Sequence, residues 1–184
     1  MLTLRGSMNR FDATKMYDLF DEFDLPARSR QLIVEGFNRP ARWTEPTPTK
    51  APAGLCCPKM GFVIHAANAL EKKAALSYLF DRSVMGYLDS PFQLHVEYRG
   101  KGDKKVQQNF AQGFLVITSE GFIWDEWLSY GRQIAACKSN PYKFTREGDV
   151  VRCPPREEAA KTLGIKYRLR SEQDLNAISI RRII

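Results

Sequence analysis

Apolar residues recur at helical spacing near the start of the chain, where Met16, Tyr17, Leu19, Phe20 and Phe23 form one stripe behind an Asp12 cap. Leu25-Pro26 ends that stripe, and a second helix is predicted over 27–37. Five prolines between Pro40 and Pro58 suppress any periodicity, so this segment reads as extended rather than as an element. A short apolar run over 61–65 leads into a helix over 68–80. Leu70, Ala74, Ser77, Leu79 and part of Leu76 make its inner face, with Lys72 and Lys73 outward and Glu71 in the first turn.

The middle of the chain changes to a period of two. Phe92 to Tyr98 alternates, with His95 and Glu97 on one side and Leu94, Val96 and Tyr98 on the other. Gly100-Lys101-Gly102-Asp103 turns it into a strand from Lys105. Two apolar, β-branched runs follow, Phe114 to Thr118 and Phe122 to Trp127, joined by Ser119-Glu120-Gly121. Together these strands predict an antiparallel meander. A helix to about Lys138, a small hairpin turning at Glu147-Gly148, a helix opened by Pro154-Pro155 and a strand over 165–169 complete the pattern. A strand reached through helical crossovers runs parallel to its neighbour. Ser171 with Asp174 opens a last helix. The fold class is α/β: a mixed central sheet flanked by helices. An N-terminal helical and extended arm (1–58) precedes a core (59–184).

Composition narrows the function. Of 184 residues, 43% are hydrophobic and 27% charged, which is a globular balance, and the net charge of +7 favours a polyanionic partner over a merely solvated basic surface. No apolar run approaches the length of a membrane span, which leads to an expectation of a cytoplasmic protein without a membrane partner. Cys56, Cys57, Cys137 and Cys153 include no C-x-x-C pair, and their expected state is reduced thiol. The sequence contains no phosphate-binding glycine loop and no local nucleophile–histidine signature.

The chemistry concentrates in the second apolar strand, where Asp125 and Glu126 interrupt the run Phe122 to Trp127. Carboxylates in such a strand are costly unless they face water, a cation or a partner. A helix glutamate, an aspartate at one strand's start and a Glu-x-Lys on the next is a nuclease layout. There the carboxylates hold Mg²⁺, the cation activates water, and the lysine supports deprotonation of the nucleophile.

With that layout in view, the chain resembles the TnsA-type transposon endonucleases. The likeness runs through Pro40-Ala41-Arg42, Lys59-Met60-Gly61 and Ala69-Leu70-Glu71. It continues through Phe80 to Pro91 (FDRSVMGYLDSP, beside the family's F-D-P-x-V-x-x-Y-x-x-Q-P), and through Arg152-Cys153-Pro154-Pro155 and Leu163 to Ser171. The resemblance implies a restriction-endonuclease-like fold, with Glu71 and Glu126 as catalytic and Mg²⁺-binding residues. The family's Pro-Asp-Phe falls on Gln112-Gly113-Phe114 and its lysine on Leu128, so an aspartate and an ammonium are missing. Asp125 lies on the face opposite Glu126, while Lys104 or Lys105 offers a replacement cation.

The expectation is therefore a DNA-binding subunit acting at transposon ends with impaired or lost nuclease activity. Implied partners are double-stranded DNA, a DDE-type transposase and an ATPase regulator. Backbone contacts are assigned to Arg42, Lys59, Lys72, Lys73, Lys104, Lys105 and Arg132. An active Mg²⁺-dependent endonuclease with a rearranged site, and a protein-interaction scaffold with no DNA role, are the alternatives.

Overall fold

The computed structural model describes residues 13–38 and 53–175. Two helices, α1 (Ala13–Glu22) and α2 (Ala27–Asn38), match the two N-terminal stripes. Met16, Leu19 and Phe20 are buried, whereas Tyr17 turns its ring edge to Phe20 and stays half exposed. Two antiparallel strands, β1 (Ala53–Cys57) and β2 (Phe62–Ala66), then precede α3 (Ala69–Phe80). Finding β1 there corrects the expectation of an unbroken extended segment up to Pro58. The five residues between Pro52 and Pro58 are free of proline and can offer every amide to a partner strand. The β1–β2 hairpin also straddles the boundary expected between arm and core.

The central sheet is mixed and flanked by helices, as expected for an α/β fold. Its strands are β3 (Val84–Asp89), β6 (Phe114–Thr118), β7 (Gly121–Trp127) and β10 (Lys166–Arg170), in the order β10-β7-β6-β3. β6 is antiparallel to β3 and β7, and β10 is parallel to β7, as the crossover rule requires. Between them in sequence lie β4 (Leu94–Arg99), β5 (Lys105–Phe110), α4 (Tyr130–Ser139), the hairpin β8 (Thr145–Glu147) and β9 (Val150–Arg152), and α5 (Pro154–Lys161).

The meander is corrected here. β4 and β5 form a two-stranded sheet of their own, and β3 takes the place beside β6. Chemistry explains the exchange: Lys105, Gln107, Gln108 and Asn109 make β5 polar on both faces, so it cannot fill a buried sheet position. β3 is buried at all but Met85.

Strand alternation divides the sheet into two faces. Ile123, Asp125 and Trp127 point toward α3, whose Tyr78 ring lies against those of Trp127, Phe114 and Tyr87. Phe122, Trp124 and Glu126 point the other way. Phe20 of α1 meets Phe122 at 5.5 Å, while Phe92 and Phe110 meet Trp124 at 5.0 and 6.5 Å. One continuous core joins both layers to the N-terminal helices. No helix among the described residues is long and apolar enough to cross a membrane.

Candidate functional site

Glu71 is built into the start of α3. Asn68 caps the helix by accepting the Glu71 amide at 3.0 Å, and the Glu71 carboxylate reaches back to accept the Ala67 amide at 2.7 Å. This reciprocal arrangement is a capping box displaced by one residue, and it leaves the Glu71 side chain buried. The inner face of α3 accordingly carries Glu71, Ala74, Ala75 and Tyr78. Ser77 and Leu79 are only partly buried, a rotation of the expected stripe.

Glu126 projects from the opposite face of the sheet. One of its carboxylate oxygens, Oε2, accepts from both the Arg156 guanidinium and the Tyr167 hydroxyl. Arg156 comes from the first turn of α5 and lies 3.6 Å above the Phe110 ring. Both side chains of the ion pair are less than one-tenth exposed. Burial, with the Glu126 charge beside it, raises the Tyr167 pKa well above its ordinary value. Nearby, Lys143 donates to Gln108 at 2.6 Å, and its pKa is lowered by burial and then by the Arg156 charge. Burial also pushes the Cys153 thiol up to about 11.

Asp125 is the more elaborate centre. It is fully buried and accepts a bidentate pair from Arg168 at 2.6 and 2.7 Å, the Tyr78 hydroxyl at 2.7 Å and Arg170 at 3.5 Å. Trp127 donates its indole N–H to the Tyr78 oxygen at 2.7 Å, and Arg170 stacks 4.8 Å from the Trp127 ring. Burial first, then the Asp125 charge, raises the Tyr78 pKa well above its ordinary value, so the phenol remains a donor. Arg168 and Arg170 also border a cavity of about 240 Å³ with Ser77, Thr118 and Ser119.

Sequence reasoning missed Tyr78, Arg156, Tyr167, Arg168 and Arg170. The available signal was the alternation Arg168-x-Arg170 on a strand expected to run parallel to its neighbour, which the structure shows to be the strand bearing Asp125.

Glu71 and Glu126 are thus placed apart, one on the α3 side and the other on the α5 side of the sheet. Among the described residues no three His, Cys, Asp or Glu side chains gather as a metal site. The donor set therefore does not fit a Mg²⁺ ion, which wants several oxygens around one point.

Gly113 reinforces this. Its φ is 125°, and a Cβ added there would lie 2.6 Å from the Asp125 carbonyl oxygen and 2.9 Å from the Trp124 indole nitrogen. The position at which the resemblance expects an aspartate has no room for a Cβ.

The basic residues also separate. Lys59 spans the end of α3, donating to the carbonyls of Tyr78 at 2.8 Å, Val84 at 2.7 Å and Asp81. It is a helix-terminating clamp, with the ammonium assigned to DNA contact already donating to three carbonyls. Replacing Lys59 with Met should lower stability by about 2–3 kcal/mol, the loss of charged hydrogen bonds to partly buried carbonyls. Thermal unfolding would register this as a shift of several degrees, with DNA affinity unchanged.

Lys105 pairs with Glu97 at 2.9 Å and, with Gln107, draws the Glu97 carboxyl down to about 2, so it is not available as a migrated cation. Lys72, Lys73, Lys104 and Arg132 are exposed. The first two stand on α3, while Lys104 stands beside the β4–β5 hairpin on the other side of the sheet. Arg42 lies outside the described residues.

No protein-family model matches the chain, and no curated protein matches it.

Proposed function

We propose that this chain is a DNA-associated subunit of a transposition system, built on a restriction-endonuclease-like core of TnsA type, that holds transposon ends without cutting them. The observation that carries the reading is the state of the β6–β7 hairpin. Gly113 and Glu126 stand at the positions that the family resemblance assigns to its aspartate and glutamate. The Glu126 carboxylate is answered there by Arg156 and Tyr167, where a nuclease would answer it with a cation and water. A carboxylate neutralised by a guanidinium has little affinity left for a hard divalent ion.

Binding in place of cutting draws on the basic surface. Lys72 and Lys73 on α3, Lys104 beside the hairpin and Arg132 on α4 are the exposed cations for phosphate contact. A DDE-type transposase and an ATPase regulator are the protein partners this reading carries with it.

Titrating the full chain with a labelled transposon-end duplex across 50–300 mM salt tests the proposal. The logarithm of affinity should fall linearly with the logarithm of salt, each phosphate contact contributing about −0.9 to the slope. Exchanging Lys72 and Lys73 for Glu should weaken binding at low salt at least about tenfold and flatten the slope by roughly 2. Affinity that ignores salt would reject the reading. So would nicking in Mg²⁺ or Mn²⁺ that disappears in Glu71→Ala.

A further inference from the structure

The two edges of the central sheet are finished differently. On β3 the Tyr87 amide donates to the Met60 sulfur at 3.4 Å, and the Val84 carbonyl accepts from Lys59 at 2.7 Å. Among the described residues β10 has no equivalent cover. The Arg170 carbonyl receives the Leu128 amide on the β7 side, so the peptide groups of Lys166 and Arg168 also face β7, and those of Tyr167 and Leu169 face outward. The N–H and C=O groups of Tyr167 and Leu169 have no hydrogen-bond partner among the described residues.

A groove of about 760 Å³ follows this edge, walled by β9, α5 and β10. A recess of about 320 Å³, shared with Val150, Val151 and Leu169, extends it toward Tyr130. Val150 is 60% exposed on its wall, while Tyr167 and Leu169 are half-buried.

We propose that this edge receives an extended acidic segment of a partner protein, which pairs with β10 as a fifth strand of the sheet. Unpaired strand edges accept such additions through main-chain hydrogen bonds, with side-chain pockets setting the choice. The choice here is set by charge. Within the groove Arg152 is matched by Glu157 at 2.5 Å, Arg168 by Asp125 and Arg170 by Asp174 at 3.8 Å. Lys161 and Lys166 remain exposed without an ion pair among the described residues, and of the groove's acidic residues Glu157 and Asp174 are already matched to arginines.

A second copy of this chain laid antiparallel on the edge would set the basic residues of β10, Lys166, Arg168 and Arg170, against the same basic set. The chain's own residues 176–184 carry Arg181 and Arg182 and no acid. An acidic strand with apolar residues at alternate positions satisfies the lysines, Val150 and the four peptide groups together. This inference stands on the sheet edge and is independent of any DNA role.

A fluorescein-labelled, capped peptide alternating valine with glutamate is the probe, titrated into the full chain by anisotropy and followed by amide hydrogen exchange. Saturable binding is expected, with the Tyr167 and Leu169 amides slowed at least about tenfold. K161E/K166E, whose exposed positions should leave circular dichroism unchanged, should weaken binding about tenfold or more. The same peptide N-methylated on alternate amides should fail to bind. The proposal is overturned if the full chain does not bind the probe, or if the N-methylated or lysine-for-glutamate peptide binds equally well. Protection appearing away from β10, or dimerisation that the probe does not displace, overturns it as well.

Discussion

A chain carrying Gly113→Asp and Leu128→Lys, the two residues that the TnsA resemblance expects at these positions, should show no metal-dependent cutting of DNA and should unfold well below the parent. At φ 125° an L-residue is strained whatever the space around it, at roughly 1–3 kcal/mol. The space is also lacking, because the new Cβ would stand 2.6 Å from the Asp125 carbonyl, which is backbone and cannot swing aside. Forcing extra atoms into a packed site adds about 1–3 kcal/mol. A combined loss on the order of 2–6 kcal/mol follows, most of it already visible in Gly113→Ala. Glu126 would still be held by Arg156 and Tyr167. Melting curves of both variants, beside a nicking assay in Mg²⁺ and Mn²⁺, check this. A restored, metal-dependent cut would show that the hairpin had simply lost its ligands.

Glu126→Ala should be nearly as damaging for the opposite reason. It leaves the Arg156 guanidinium buried without a counter-charge, in a place where its Nε already has no acceptor and where buried Lys143 contributes a second positive charge. Breaking one side of a buried pair costs about 3–5 kcal/mol. Replacing both partners with apolar residues, Glu126→Leu with Arg156→Met, should recover most of that loss, because the pair's desolvation is removed along with its attraction. Urea denaturation of the two singles and the double gives a coupling energy, expected at about 2 kcal/mol or more. Additive losses would mean that the two side chains do not depend on each other.

Much of the architecture could be read before any coordinates. The span of α3 followed from an apolar stripe over 68–80, and β10 from the alternating residues Ile165 to Leu169 after Gly164. These are local signals, carried by residues within a few positions of each other. β3 escaped because Val84 to Asp89 is buried on both sides, and such a run shows no alternation. β1 escaped because flanking prolines hid five pairable residues.

The site was legible only in half. Asp125 and Glu126 stood out as carboxylates that needed partners, and their division between two faces follows from strand geometry. Those partners lie 30 to 47 residues away, at Arg156, Arg168, Arg170 and Tyr78. No spacing rule connects positions so distant. By residue type Glu71 read first as a helix opener and only through the resemblance as a metal ligand, and the Ala67 amide shows it in the first role.

The partnership between β7 and the C-terminal arginines also sets when this protein can fold. The β7 carboxylates leave the ribosome 30 residues ahead of Arg156 and 43 to 45 residues ahead of Arg168 and Arg170. Until those guanidiniums emerge, Asp125 has only the Tyr78 hydroxyl and water, and Glu126 only water, and carboxylates without a counter-charge keep the strand from joining a dry interior. Synthesis therefore holds the nascent sheet open until β10 has emerged. During that interval the exposed Phe122, Trp124 and Trp127 are what a chaperone would bind.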